Sequence, residues 1–413
     1  MKSSPDTESP KSQSLVSDQI PSLLGLAKLL TLGFDEVNLS TLWRQLADRF
    51  VRDNTDVAPL MDICILDQIL GQTDRGLAFQ KQALQERRLF QIQADQKPAR
   101  LRVLGFTAAG VFGNNTPIEF LIQDSNVTLY LIYVVSGSPL PPVPEHDVAF
   151  VVAGECEENR PVLQELEVLL RDWSRPVLNA PGRIPQVGRE RFYRVVEPIG
   201  ELEMPATVRI SRALWQSVGN STLPIQAVLA KGVFPVIVRP VDSHAGHGLQ
   251  KIDRPDEIAA YLAKNSGREF YLSCFVDYQN ADGLYRKYRV AVIDGVAYPC
   301  HMGVSENWMV HYVNAGMLES EAKRAEEARF MACFEEEFGG RHRRAFANIA
   351  TILGLEYFGL DCAETPDGKL LIFEADTAMI VHDMDPADVF PYKKKHMQIL
   401  FEAFRSMLHR HAQ

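Results

Sequence analysis

The residues best placed to do chemistry lie in the stretch YFGLDCAETPDGKLLIFEAD, residues 357–376. Two apolar runs, Tyr357–Cys362 and Leu370–Phe373, flank Pro366-Asp367-Gly368, the pattern of a β-hairpin. An Asp-Gly pair suits a two-residue turn because both central residues then need positive φ. With Asp367 and Gly368 at the tip, facing residues have numbers summing to 735, which sets Asp361 opposite Glu374. Asp376, two residues on, falls on the same face. Like charges directly across a ladder repel, so three converging carboxylates call for a cation. Hard oxygen ligands at strand ends suit Mg²⁺, which keeps some waters and takes other ligands from phosphate. The bland alternative is a hairpin with solvated acids on its outer face.

Other chemistry-bearing residues fall in short, separate segments. The run FPVIVRPVDSHAGHG carries a buried strand, Phe234–Val238, ending on Arg239. The small-residue loop Ser243–Gly248 follows, and its glycines let backbone N–H groups come close to an anion. A second hairpin, KYRVAVIDGVAYPCHM, has its own turn at Asp294-Gly295 and carries Arg289. It leads into HMGVSENWMVHY, where His301, Trp308 and His311 are candidate substrate contacts and plain packing is the competing reading. These histidines lack HxxxH or HExxH spacing, which argues against zinc. Earlier, AAGVFGNNTPIEFLI is a Gly/Asn-rich loop running into a helix, suited to an anion or to a simple turn, without GxGxxG spacing or a P-loop lysine.

The elements that must position these groups set the fold class. With 413 residues the chain has room for two or three domains, and 46% hydrophobic with 23% charged residues is ordinary for a globular protein. A net charge of −10 argues against a broad nucleic-acid grip. The N-terminus lacks an apolar signal core, and no apolar run reaches membrane-spanning length, so a cytoplasmic protein is expected. The six cysteines are scattered without CxxC pairs and read as small buried hydrophobes in a reducing compartment. Residues 1–20 are Ser/Pro/charge-rich and read as a disordered tail. Residues 21–99 carry helical periodicity, continuing through GLAFQKQALQERRLFQ, and resemble a worn tetratricopeptide-like unit. Such an appendage suits a protein partner or a second copy of the chain. Over 100–182, strands LRVLGFT, VTLYLIYVV, DVAFVVAG and RPVLNAP alternate with a helix at VLQELEVLLRDW, predicting a parallel Rossmann-like layer. Residues from about 183 to Val233 read as helical and mixed. PDEIAAYLAKN, 316–354 and Lys394–His409 read as helices, and EFYLSCFVDY as a strand.

From Arg191 onward the order of parts resembles the ATP-grasp superfamily, in the branch of glutathione synthetase and the ribosomal-protein glutamate ligase. The fold so implied is α/β and α+β. It has a Rossmann-like pre-ATP-grasp domain and a two-lobed ATP-grasp domain over 183–413, the first lobe about 183–268 and the second about 269–413. The resemblance implies that FPVIVRPVDSHAGHG is the basic strand and phosphate loop. Arg239, Ser243, Gly246 and Gly248 would contact nucleotide, with Arg239 where the family usually has Lys. EFYLSCFVDY would be the adenine hinge, with Phe275 and Val276 at the base and Asp277 at the ribose. Arg191, in LNAPGRIPQVGRERF, takes the place of another Lys, and Arg289 would face the transferred phosphate or the oxyanion. Asp361, Glu374 and Asp376 would be the metal ligands, Asp376 replacing the usual Asn.

The expected function is therefore an ATP- and Mg²⁺-dependent carboxylate–amine ligase working through an acyl phosphate, with Mn²⁺ able to substitute. Its partners would be a small or peptide carboxylate and an amine, without nucleic acid or membrane. A phosphotransferase and a non-catalytic nucleotide-binding scaffold are the alternatives. On this reading Glu374→Gln loses turnover yet folds at least as stably without metal, since a repulsion has gone.

Overall fold

The computed structural model describes residues 20–35, 37–243 and 246–413. The disordered-tail expectation therefore lies almost wholly outside the described residues, as do His244 and Ala245 of the Gly-rich loop.

Four helices open the chain: α1 (Leu26–Phe34), α2 (Leu39–Arg52), α3 (Ala58–Ile69) and α4 (Thr73–Glu86). The helical reading stops short of its expected end. Leu89–Ile92 form strand β1, antiparallel to the edge of the next sheet, because Phe90 is fully buried there. That sheet contains β2 (Leu101–Ala108), β3 (Val127–Val134), β4 (Val148–Val151) and β5 (Val177–Leu178), in the order β1-β3-β2-β4-β5. Strands β2 to β5 pair in parallel, as the run of buried β-branched residues predicts. Helices α5 (Ile118–Ile122) and α6 (Arg160–Leu169) are its crossovers.

The opening helices are sewn into this layer. Val57, Leu60, Met61 and Ala83 share one buried cluster with Val103, Phe106 and Leu129 of the sheet. The buried carboxylate of Asp62 accepts N–H bonds from Leu24 and Gly25, and that of Glu119 accepts from Ala27. Burial raises the carboxyl pKa of Asp62 to about 6 and of Glu119 to about 7, against the pull of those N–H donors.

After α7 (Arg189–Val196) and the two-residue β6 (Leu202–Glu203), a smaller lobe forms around its own core. It holds β7 (Thr207–Ser211), α8 (Arg212–Gly219), β8 (Val236–Pro240), β9 (Gln250–Ile252), α9 (Ile258–Lys264) and β10 (Glu269–Cys274). Its antiparallel sheet runs β7-β10-β8-β9, with Trp215, Tyr261 and Phe270 wholly buried beneath it. Strand β7 lies in the segment read as helical and mixed; at five residues it is too short for alternation to stand out.

The last sheet is built from β11 (Tyr285–Ile293), β12 (Val296–Ser305), β13 (Tyr357–Glu364) and β14 (Leu370–Asp376), in the order β12-β11-β13-β14-β6. Helices α10 (Glu321–Ala332) and α11 (Phe338–Leu353) lie between its two hairpins in sequence. Helix α12 (Lys393–His411) packs between sheets: the Phe404 ring meets Phe150 of β4 at 5.8 Å and Tyr357 of β13 at 5.3 Å. Emptying such a site typically costs about 3–5 kcal/mol. The large sheet is thereby held rigidly against the parallel layer, and the small lobe faces it across a cleft.

Candidate active site

The two Asp-Gly dipeptides make different turns. At Asp294-Gly295 both residues have positive φ, 46° and 77°, and Ile293 pairs with Val296, as a two-residue turn requires. In the second hairpin Gly368 alone of the pair is left-handed, at φ 82°, and Glu364 pairs with Leu370. The loop is thus longer than expected, with Thr365 closing it through bonds to Lys369 and Asp367. The register near the turn sums to 734. A bulge then inserts Phe373 between Ile372 and Glu374, and the sum returns to 735. Asp361 consequently does sit opposite Glu374, for a reason that the turn alone does not provide.

A second bulge lies between Arg289 and Val290 on the β11–β12 pairing. Between the two bulges one transverse row crosses four strands: His301 pairs with Arg289, Arg289 with Asp361, and Asp361 with Glu374. Paired residues share a face, so the row presents its side chains together. Bulges re-aim side chains in this manner at ligand sites.

This face closes one side of a cleft of about 730 Å³. At one end the wall is mostly apolar, with Ile237, Cys274, Phe275, Val276 and Phe373. The Trp308 ring meets Phe275 edge-on at 5.8 Å there. At the other end Arg189, Arg239, Lys287 and Arg289 face Asp361, Glu374 and Asp376. The expected convergence of three carboxylates on one cleft is therefore present, and their counter-charges are protein side chains. Asp361, 1% exposed, takes Arg289 Nε and Nη2 at 2.8 and 3.0 Å and Lys287 Nζ at 2.7 Å. Burial would raise its pKa, but these two cations hold the carboxyl far below the usual carboxylate range. Glu374 forms an ion pair with Arg189, which also donates to the Phe373 carbonyl at 3.3 Å. Asp376 accepts the N–H of Ala378 at 2.8 Å.

Arg239 sits at the cleft end of β8 and donates to Ser243 Oγ at 3.1 Å and to the Ser243 carbonyl. The Gly-rich loop thus aims the guanidinium. Burial, reinforced by Arg189, lowers its pKa well below the ordinary value. A free anion in the cleft would relieve this crowding of cations.

Not every expected residue reaches the cleft. Gly246 and Ser243 line it, whereas Gly248 packs under the loop: a Cβ there would sit 2.7 Å from Pro240 Cδ, and its carbonyl accepts from Tyr261. Phe275 and Val276 line the wall just past the end of β10, but Asp277 is exposed and accepts the Gln279 N–H. Arg191 is exposed and lies outside the lining; Arg189 occupies the place expected for it. Two residues along an α-helix are about 200° apart, so both arginines of α7 cannot face the cleft. Trp308 and His311 line the cleft, while His301, on the same face of the sheet, is outside the lining and stacks on Tyr312 at 4.4 Å. Burial first, then Arg289, keeps the His301 pKa well below its ordinary value.

Sequence reasoning missed Lys287, Arg189 and Tyr271. For Lys287 the signal was available, since it precedes Arg289 by two residues on the same strand face. Tyr271 pairs with Arg239 across β10 and β8, a register that sequence alone does not fix.

No known family profile and no curated protein matches the chain. Among the solved structures that are similar to the chain, three share 13% identity with it. The VanG D-Ala:D-Ser ligase from Enterococcus faecalis gives a TM-score of 0.45, over 75% of this chain and 100% of that one. A RimK domain ATP-grasp protein from Sphaerobacter thermophilus gives 0.43, over 74% and 99%. The ATP-grasp ligase PsnB, complexed with precursor peptide PsnA2 and AMPPNP, gives 0.40, over 74% and 97%. At such low identity and TM-scores, function is read from the cleft itself.

Proposed function

We propose that the cleft binds ATP and that the protein joins a carboxylate to an amine through an acyl phosphate, as an ATP-grasp ligase. The observation that carries this reading is the polarity of the cleft. An apolar slot fits a base, and four cations at the far end fit a chain of phosphates. A cavity of about 730 Å³ is in the range of cofactor-sized sites.

In the proposed reaction a carboxylate oxygen of the acid attacks the γ-phosphorus, and the bond to the β–γ bridging oxygen breaks, leaving ADP. The amine nitrogen then attacks the acyl carbon, a proton leaves the nitrogen, and inorganic phosphate departs. Arg239, oriented by Ser243, and Arg189 would hold phosphates. Arg289 and Lys287 would face the transferred group and the oxyanion of the second step. Arginines already held in place by the protein need little reorganisation as charge develops. Met379 and Ile380, at the same end of the cleft, leave an apolar surface for the acid.

Mg²⁺, or Mn²⁺ in its place, is the ion that the resemblance implies. As folded, the residues do not fit it. Both oxygens of Asp361 are held by protein cations, Glu374 is paired with Arg189, and among the described residues no three His, Cys, Asp or Glu side chains are grouped to hold a metal. The steps above accordingly rest on the chain's own cations. Among the described residues no helix is long and apolar enough to cross a membrane.

The test is phosphate release from ATP over a matrix of amino acids and peptides. A ligase releases phosphate only when an acid and an amine are both present. Phosphate transferred to one acceptor and kept there identifies a kinase. Nucleotide binding without turnover on any pair identifies a scaffold.

A further inference from the structure

The charges around Asp361 do not balance. One carboxylate, 1% exposed, faces two cations that line the cleft and are partly exposed to it. The two cations are held differently. Arg289 makes a two-point fork on Asp361 and also donates to the Ile380 carbonyl at 3.3 Å. Lys287 makes a single 2.7 Å contact with Oδ2, and its side chain is a quarter exposed and lines the cleft. A planar guanidinium bonded on three sides is fixed, while an ammonium on a flexible stem can swing to another anion. Strand pairing explains the arrangement: Arg289 is directly opposite Asp361, and Lys287 is its diagonal neighbour on the same face.

We infer that Lys287 is a built-in counter-ion that competes with divalent metal for Asp361. Metal is kept off this carboxylate while the ammonium stays on Oδ2, and bound nucleotide phosphates offer the ammonium another anion. The second half of this inference rests on the nucleotide reading above; the competition itself does not. The lysine thereby keeps the carboxylate neutralised in the empty cleft and becomes a phosphate contact in the filled one.

The test titrates Mn²⁺ alone into the full-length protein, without nucleotide, following free Mn²⁺ by electron paramagnetic resonance. Lys287→Met is expected to bind Mn²⁺ at least tenfold more tightly than the unaltered chain. Adding Asp361→Asn to it should abolish the gain, which ties the new affinity to this carboxylate. A folded Lys287→Met protein with unchanged or weaker Mn²⁺ binding overturns the inference, and so does a gain that survives Asp361→Asn. Should the methionine variant fail to fold, Lys287→Gln removes the charge with a shorter polar group and carries the same expectation. ADP titrated in the presence of EDTA reads the second half: Lys287→Met should lose several-fold affinity. If ADP binds neither protein, the nucleotide reading falls while the Mn²⁺ result stands on its own.

Discussion

Replacing Arg289 by Met removes one of two cations from a carboxylate that is 1% exposed. Breaking a buried ion pair from one side costs roughly 3–5 kcal/mol, because the remaining charge is left without its partner. Lys287 stays 2.7 Å from Oδ2, so the lower end applies, about 3 kcal/mol. In a chain of 413 residues that amounts to a fall of about 3–4 °C in Tm. Changing Asp361 to Leu alone strands Arg289, with a similar penalty. The double variant, Arg289→Met with Asp361→Leu, leaves only Lys287, which can turn to solvent in the cleft, and should recover most of the loss. Urea unfolding of the four proteins gives the coupling, expected at about 2–3 kcal/mol. Turnover should be lost in all three variants and should not return with stability. Penalties that add to within about 0.5 kcal/mol would mean that the two residues do not share one buried contact, and the charge argument for the whole row would fail.

Glu374→Gln should abolish turnover, but the Arg189 ion pair alters the stability expected from sequence. Instead of relieved repulsion, a partly buried arginine loses its charged partner, and a loss of about 1 kcal/mol should be measured in metal-free urea unfolding. Cys274 lines the apolar end of the cleft, so ATP should slow its alkylation, read by peptide mass spectrometry; the buried Cys64, Cys156, Cys300 and Cys362 serve as unreactive references. Equal labelling with and without nucleotide would place the base elsewhere. Burial lowers the pKa of His301, His311 and His382 in the folded chain. At these three histidines the unfolded chain binds more protons below about pH 6.5, so their share of the stability should fall as pH drops through that value. Asp62 and Glu119, held above the ordinary carboxylate range, contribute in the opposite sense. The slope should lessen in His301→Phe, which keeps a ring against Tyr312; an unchanged slope would mean that His301 is protonated in the folded state.

Much of the site was legible because strands report alternate faces and turns report their tips. The β11–β12 hairpin and the parallel layer follow from such patterns, whereas Asp361 meets Glu374 only because the extra residue at Phe373 restores the count that the longer loop loses. What was not legible depends on phase or on distant partners. Whether Arg189 or Arg191 faces the cleft is a matter of where α7 begins, one residue after Gly188. Strands β1, β6 and β7 are two to five residues long and exist because a neighbouring edge accepts them. The carboxylates suggested a missing cation, and the answer lay one strand away, in the register between β11 and β13. The four opening helices show no strand alternation, yet nothing in their periodicity reveals that they share a core with the sheet that follows.

The extra residue at Phe373 gives the last hairpin a property of parity. Counting outward from the turn, each residue belongs to an odd or an even set, and only one set looks into the cleft. The turn puts Glu374 in the wrong set, and the bulge moves it to the right one. Deleting Phe373 would straighten the strand and set Glu374 directly after Ile372, still opposite Asp361, whereas a slip of the pairing by one residue would turn the Glu374 carboxylate toward the apolar side of the sheet. The two irregularities are thus a matched pair, each an error that the other cancels. A slip of register by one residue, rather than loss of the extra residue, is what would silence the site while leaving the strands paired.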